Sequence, residues 1–284
     1  MSNLLVCLTF DHDNASLMIA RGQMTPTAIS RGDFGIAATP RILSLLAAHN
    51  APSTWFIPGH TIESYPHCVE RVRDAEHEIA HHGWTHRPPA TLSREQEEDE
   101  LLRGLHAIER LTGSKPIGYR SPSWDLSPHS VELLLKHGFA YDSSMMGHDT
   151  LPYQVRSGDK VTLLEPMVFG EDTALVELPV SWSLDDFPHF EYSVSERGIL
   201  PGLKEAAAVE RNWIDDFLYM KETQDWGVFT LTFHPHVIGR GHRLRMLDRL
   251  IGRLASEGAR FVTMAQALEA YRERFPGGLT LRSS

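Results

Sequence analysis

Residues 4–13 read LLVCLTFDHD, an apolar run that ends in two acids and a histidine. The apolar residues 4–10 predict a buried β-strand, and Asp11, His12 and Asp13 follow at its end. Three later stretches repeat this arrangement: HHGWTH at 81–86, YRSPSW at 119–124 and TFHPH at 232–236. Because reactive residues collect at the carboxyl ends of parallel strands, the sequence predicts that the four stretches meet at one site.

Apolar runs alternate with helical patterns along the chain, which indicates repeated βα units and an α/β fold. The predicted strands are 4–10, 52–58, 77–81, 117–121, 139–142, 175–182, 228–234 and 260–264. The predicted helices are 39–50, 66–75, 93–112, 127–137, 204–223 and 243–257. Thr39-Pro40 gives the first helix an N-cap followed by proline, and Ser93 and Gln96 have the spacing of a capping box.

The chain contains no internal repeat, low-complexity tract or glycine- and serine-rich linker, so a single domain is expected over residues 1–284. The segments 13–38 and 143–174 are too long and irregular for simple connections and are predicted to be loops. Long loops in compact folds are often functional, so both are candidates for substrate-binding walls or oligomer contacts.

Composition narrows the classes of partner. The formal net charge is −10 and no run of five basic residues occurs, so neither nucleic acid nor an anionic membrane surface is an expected partner. The N-terminal segment has no basic region and too short an apolar stretch for a signal peptide or membrane span, which makes the cytoplasm the expected location. Cys7 and Cys68 are too few for a disulfide framework, and ordinary thiols are expected.

His82 and His86 are four residues apart, which lets both imidazoles face one ion from a helix turn or a tight loop. Gly83 and the two prolines that follow this stretch favour the loop. The spacing alone is a weak signal, because polar or core histidines have it as well. Asp13 strengthens the metal interpretation, since two histidines and one aspartate leave a coordination position open for water and substrate.

Asp11 lies two residues from Asp13, so both carboxylates can point to the same side of an extended segment. One carboxylate would bind the metal, and the other would take a proton from the attacking water. Arg120 could hold the second carboxylate through a bidentate ion pair. A surface salt bridge for Arg120 and a loop cap for Asp11 are the ordinary alternatives.

These motifs together resemble those of the polysaccharide deacetylase family, also called the NodB homology domain or carbohydrate esterase family four. Residues 9–13 (TFDHD) correspond to the family's T-F-D-D motif with one residue inserted between the acids. Residues 82–86 (HGWTH) match the spacing of its H-[ST]-x-x-H motif, with glycine at the second position. Residues 120–124 (RSPSW) correspond to R-x-P-x-[YW], and residues 231–235 (LTFHP) to the late histidine motif.

The resemblance covers nearly the whole chain and implies a fold, a reaction and a cofactor. The implied fold is a distorted (β/α)7 barrel. The implied reaction is hydrolysis of a non-peptide C–N bond, most simply removal of acetyl from an N-acetylated sugar or polysaccharide. The implied cofactor is a divalent metal, usually zinc or cobalt, held by Asp13, His82 and His86.

The resemblance also assigns roles to further residues. It implies Asp11 as general base, Arg120 as the partner that orients it, and His234 as general acid to the leaving amine. The residues implied as walls of the substrate pocket are Trp124, Pro122 and Trp182. For Trp124 and Trp182, ordinary core packing is the alternative.

Departures from the family pattern indicate one branch of the family. The inserted His12, the YRSPSW stretch and the segment SWSLDDFPHF at 181–190 resemble intracellular peptidoglycan-deacetylase-like proteins, a branch that includes cofactor-independent allantoinases. A small cyclic amide is therefore the alternative substrate class. Within 181–190, Asp185 and Asp186 are expected in a solvated acidic turn, with orientation of His234 or contact with substrate as alternatives.

Two further expectations concern the functional class and the oligomeric state of the protein. A non-enzymatic binding module built on this fold is a third functional class, but the intact base, acid and metal positions argue against it. The complete metal set favours the deacetylase over a metal-free hydrolase of cyclic amides. A single-domain enzyme with long loops and an acidic surface is also compatible with a symmetric homo-oligomer.

Overall fold

The computed structural model describes residues 3–195 and 198–281. Its strands are β1 (Leu4–Asp11), β2 (Ser53–Ile57), β3 (Glu78–His81), β4 (Gly118–Tyr119), β5 (Tyr141–Asp142), β6 (Tyr153–Ser157), β7 (Glu171–Glu177), β8 (Ser193–Ser195), β9 (Gly198–Leu200), β10 (Gly227–Phe233) and β11 (Arg260–Phe261). Its α-helices are α1 (Ala15–Ala20), α2 (Pro26–Ala48), α3 (Gly59–Ser64), α4 (Pro66–Asp74), α5 (Arg94–Thr112), α6 (Ser130–Lys136), α7 (Asp186–Phe190), α8 (Ala206–Thr223), α9 (Pro235–Ile238), α10 (Gly241–Ser256) and α11 (Met264–Arg274).

The main sheet is curled and confirms the predicted distorted (β/α)7 architecture. Its strand order is β10-β1-β2-β3-β4-β5-β7-β6. In the part of the chain that the structure describes, the first seven strands of this order run parallel. β6 joins the edge antiparallel to β7, and β11 lies beside the first half of β1. A single parallel bridge between Asp185 and Thr232 brings the chain that leaves β7 back to β10. The sheet thus curls towards closure on the side that carries the site.

Strand β1 separates two layers of the core, which explains why its sequence is a continuous apolar run. Leu5 and Cys7 point into the barrel, where they pack with residues such as Tyr141 and Leu178. Leu8 and Phe10 point outward to the layer formed with helices α2, α4, α8 and α10. Because side chains alternate along a strand, Asp11 continues the inner row and His12 the outer row.

Helix α2 corrects two predictions, the loop over 13–38 and the helix over 39–50. Its N-cap is Thr25, whose hydroxyl accepts a hydrogen bond from Ala28 N at 3.4 Å, with Pro26 at the first helical position. The later Thr39-Pro40 pair has the same sequence signature but lies inside the helix. There the Thr39 hydroxyl donates to the Gly35 carbonyl at 2.8 Å.

The small residues that made 13–38 look irregular have a packing role. A Cβ atom on Gly32 would lie 2.4 Å from Ala15 N, and one on Gly35 would lie 1.9 Å from Asn14 Oδ1. Only glycine at these positions lets α2 approach the turn that follows β1. The segment 13–38 therefore forms α1 and the first half of α2, and it packs behind the site.

The segment 143–174 is also not a simple loop. It contains β6 and the beginning of β7, which starts at Glu171 and not at residue 175 as predicted. The first half of β7 is exposed and pairs with β6, so it lacks the apolar pattern of a buried strand. Helices α3 and α11 were not predicted, whereas α5 has the predicted capping box at Ser93 and Gln96. No helix in 3–195 or 198–281 has the length and hydropathy needed to cross a membrane.

Candidate active site

The four motif stretches meet at the carboxyl ends of the parallel strands. Asp11 ends β1, His82 follows β3, Arg120 follows β4 and His234 follows β10. All four residues are buried. The fold therefore gathers side chains that are up to 223 positions apart into one desolvated cluster, as their strand-end positions predict.

Asp13 lies between the two histidines of the HHGWTH stretch. Asp13 Oδ1 is 3.4 Å from His82 Nε2, and Asp13 Oδ2 is 3.4 Å from His86 Nε2. One ligand atom of each residue falls within 4.8 Å of the others. Both Asp13 oxygens and His82 Nε2 are buried and make no hydrogen bond to any other described part of the chain. Buried polar atoms without partners are costly, so this set fits a bound divalent cation.

The tautomer of His82 also suits metal binding. Its Nδ1 lies 2.7 Å from the Arg120 carbonyl oxygen, which can only accept, so Nδ1 carries the proton. That leaves the lone pair of Nε2 directed towards Asp13 and His86. Burial lowers the pKa of His82 to about 4, the neutral state that a metal ligand requires. A backbone carbonyl that fixes the second ring nitrogen is a common arrangement for metal-binding histidines.

The HHGWTH stretch after His81 is a loop, as predicted, and Glu100 on α5 holds it. Gly83 and His86 both have positive φ, 70° and 59°, so the backbone turns sharply between the two candidate ligands. The amides of Trp84 and Thr85 donate to Glu100 Oε2 at 3.2 and 3.1 Å. This buried carboxylate fixes the separation of His82 and His86.

Asp11 pairs with Arg120. Arg120 Nη1 donates to Asp11 Oδ1 at 2.8 Å, and the guanidinium also bonds to the Thr9 hydroxyl and to the carbonyl and hydroxyl of Ser143. Burial raises the pKa of Asp11, but Arg120, with smaller contributions from His82 and His234, outweighs burial and holds the pKa below its ordinary value. Asp11 Oδ2 lies 3.9 Å from His82 Nε2. The pair is buried, so the surface salt bridge considered for Arg120 does not occur. The expected bidentate pairing is wrong as well, because Nε and Nη2 of Arg120 bond to Ser143 and only Nη1 bonds to Asp11.

His234 stands between Asp13 and two further acids. His234 Nε2 is 3.8 Å from Asp13 Oδ2, while its Nδ1 is 2.8 Å from Asp186 Oδ1 and 3.4 Å from Asp185 Oδ1. Burial lowers the pKa of His234, but Asp185 and then Asp186 raise it well above the ordinary value. The raised pKa favours the protonated imidazole, and its Nε2 faces Asp13.

The expectation of a solvated acidic turn at 185–186 is wrong. Both carboxylates are buried, because the bridge from Asp185 to Thr232 folds this segment against β10. Asp186 accepts from both the backbone N and Nδ1 of His234, and Asp185 accepts from Phe187 N. Orientation of His234, the alternative reading, agrees with this geometry. Asp185, Asp186 and His234 could also enclose a cation, but these bonds already occupy most of their ligand atoms.

Comparison with known proteins identifies the family. The sequence model described as polysaccharide deacetylase matches residues 5–141. A peptidoglycan deacetylase of Helicobacter pylori is 37% identical over 267 residues, which cover 90% of this chain and 91% of that protein. The chain belongs to the polysaccharide deacetylase family. The family match and this relative support a hydrolase that acts on a C–N bond other than a peptide bond.

Solved structures agree with this membership of the polysaccharide deacetylase family. A putative polysaccharide deacetylase from Mycobacterium smegmatis superposes with a TM-score of 0.84 at 31% identity and covers 96% of this chain and 91% of its own. The PuuE allantoinase superposes with a TM-score of 0.77 at 19% identity, over 97% of this chain and 92% of its own, which shows a shared fold.

Two tryptophans lie together beside Arg120. Trp124 and Trp182 stack with ring centroids 4.2 Å apart and an angle of 27° between their planes. Trp182 is 44% exposed, so the core-packing alternative for it is wrong. Ser123 and Trp124 both have positive φ, 58° and 52°, in the turn that begins at the buried Pro122. The turn directs Trp124 towards the Arg120 guanidinium, whose carbon lies 5.9 Å from its ring centroid.

The sequence reasoning missed residues that support the site from neighbouring strands and helices. Ser143 anchors Arg120, Glu100 anchors the histidine loop, and Phe187 lies 5.1 Å from the His234 ring. Ser143 directly follows β5, so its position at a strand end was an available signal. Glu100 looks like one of several acids on the surface of an amphipathic helix, and no local pattern separates it from them.

Proposed function

We propose that this protein is a metal-dependent deacetylase that removes acetyl from an N-acetylated sugar or polysaccharide. The observation that carries the proposal is the set of unpartnered, buried ligand atoms on Asp13 and His82, next to His86 and flanked by Asp11 and His234. Zinc is the cation best suited to two imidazoles and one carboxylate, and cobalt binds similar donors. When bound there, the cation would supply Lewis-acid polarisation of the amide carbonyl and a more acidic water.

Asp11 is placed to act as the general base. Its low pKa keeps it ionised at neutral pH, and its Oδ2 faces the metal-binding side while Oδ1 is held by Arg120. It would take one proton from the attacking water while the water oxygen bonds to the amide carbon. Arg120 keeps the carboxylate aligned for this transfer, because three of its nitrogens are committed to fixed partners.

His234 is placed to act as the general acid on the opposite side of Asp13. Its raised pKa keeps Nε2 protonated, and Asp186 fixes the ring through Nδ1. It would donate its proton to the amide nitrogen as the C–N bond breaks, which releases acetate and a free amine. A positioned acid or base typically contributes a factor of about 10² to 10⁴ in rate.

The stacked pair of Trp124 and Trp182 supports a sugar as the substrate. Flat aromatic surfaces bury the apolar faces of ring-shaped ligands, and the pair stands on the side of Arg120 at the edge of the site. Among relatives, the Helicobacter pylori protein is described as a peptidoglycan deacetylase, which supports an N-acetylated glycan as the substrate class.

The proposal is tested by assaying N-acetylglucosamine oligomers and allantoin side by side. The protein would be stripped of metal with a chelator, assayed, and assayed again after addition of zinc or cobalt. We expect acetate release from the oligomers only after metal is added. Ring opening of allantoin that is insensitive to the chelator would contradict the proposal and would support a metal-free hydrolase of cyclic amides.

A further inference from the structure

His12, the residue inserted between the two acids, has a defined environment on the helix side of β1. It is fully buried, its backbone N donates to the Phe56 carbonyl at 2.9 Å, and its ring meets the edge of Trp55 at a centroid distance of 5.3 Å. Its Nε2 is 3.2 Å from the Thr39 hydroxyl of α2 and 3.6 Å from the Cys68 sulfur of α4. The insertion therefore connects the end of β1 to two helices.

The hydrogen-bond directions in this environment are determined by the Thr39 hydroxyl. Thr39 donates its only hydroxyl proton to the Gly35 carbonyl at 2.8 Å, so it must accept from His12 Nε2–H. Cys68 Sγ, 3.3 Å away, is a second donor to the same oxygen. Because the bond needs a proton on Nε2, a side chain that replaces His12 must also donate at this position.

The bond between His12 and Thr39 affects the site because side chains alternate along β1. Asp11 and Asp13 point into the barrel because exactly one residue separates them, and that residue must point outward between α2 and the sheet. We propose that His12 is a positioning residue: its bond to Thr39 fixes the end of β1 so that Asp13 binds the cation while Asp11 stays free to act as base. This inference rests on the function proposed above.

The test compares His12→Leu, which fills the space without a donor, with His12→Gln, whose amide can still donate to Thr39. For His12→Leu we expect the zinc dissociation constant to rise about 10- to 100-fold, the size of effect typical of residues that orient metal ligands. We also expect kcat to fall by a similar factor with little change in KM. His12→Gln should recover most of both losses. Zinc affinity would be measured by competition with a chromophoric chelator, on protein whose fold is verified by circular dichroism.

A matched control is His77→Leu. His77 also packs near Trp55, with ring centroids 6.3 Å apart, and bonds to the Ser53 hydroxyl at 3.1 Å, but it lies at the opposite end of β2 and β3. Its loss removes a comparable contact, so zinc affinity and kcat should stay as in the wild type.

Wild-type zinc affinity in His12→Leu, or equal losses in the leucine and glutamine variants, would contradict the role of His12. A wild-type protein that neither binds zinc nor releases acetate would instead contradict the proposed function and, with it, this role.

Discussion

Arg120 donates to Asp11 across 2.8 Å in a pocket where both side chains are buried. The same guanidinium bonds to the Thr9 hydroxyl and to the carbonyl and hydroxyl oxygens of Ser143, and its carbon lies 4.0 Å from the Phe56 ring centroid. Every polar group of Arg120 thus has a fixed direction, and the Asp11 carboxylate takes its orientation from this arrangement. A lysine could replace the charge but not this set of bonds.

Removal of the Arg120 charge should move the acid limb of the pH–rate profile. In Arg120→Gln the pKa of Asp11 rises, because no guanidinium outweighs the effect of burial. The carboxylate is then protonated at a higher pH than in the wild type. As the pH is lowered, kcat therefore begins to fall at a higher pH. The unpaired buried acid should also lower the free energy of unfolding by about 3–5 kcal/mol. Arg120→Lys, which keeps a charge, serves as the control and should shift the acid limb less. An unchanged acid limb in Arg120→Gln would show that Asp11 is not the titrating base.

Asp11→Asn should separate metal binding from catalysis. Asparagine keeps the size of the side chain but cannot accept a proton as a base, so kcat should fall by about 10² to 10⁴. Zinc content after dialysis should remain that of the wild type, because Asp13, His82 and His86 are intact. Wild-type turnover in this variant would remove Asp11 from the role of base.

His82→Ala and His86→Ala should each abolish tight zinc binding, because two remaining protein donors are too few for a stable site. The control is His106→Gln, at an exposed histidine on α5. Zinc content by atomic absorption should be near background in the alanine variants and normal in His106→Gln. Full zinc occupancy in both alanine variants would refute the ligand assignment.

Asp186→Asn should move the basic limb of the pH–rate profile to lower pH. Asp185 and Asp186 raise the pKa of His234, so loss of one negative charge lowers that pKa and the acid loses its proton earlier as pH rises. Asparagine can still accept from Nδ1, which preserves the ring orientation. The measurement is kcat against pH for both proteins. A basic limb that stays in place would mean that His234 does not supply the proton.

Trp182→Ala should weaken substrate binding more than the chemical step. The exposed ring stacks on Trp124 at the edge of the site and contacts none of the groups that transfer protons. We expect KM for N-acetylglucosamine oligomers to rise roughly tenfold or less, which corresponds to about 1 kcal/mol of lost aromatic contact. Tyr219→Ala, at an exposed aromatic on α8, is the control. A fall in kcat with unchanged KM would exclude Trp182 from the substrate wall.

The sequence predicted the site best where a functional residue directly follows a strand. Asp11, Asp13 and Arg120 each follow a buried apolar run, and the topology of parallel strands then places them together. The acids at 185–186 were misread because their burial depends on a single long-range bridge to Thr232, which leaves no local pattern. Helix α2 was misplaced because two Thr-Pro pairs have the same capping signature, and only the packing of Gly32 and Gly35 against the turn after β1 distinguishes them.

We propose that Asp13, His82 and His86 hold a divalent cation beside a separate base, Asp11. Diffraction at the zinc absorption edge, from crystals of the protein grown with zinc, tests it most directly. We predict one strong anomalous peak in contact with Asp13, His82 and His86, with Asp11 still bound to Arg120 and not to the ion. A peak enclosed by Asp185, Asp186 and His234, or no peak at either cluster, would contradict the account.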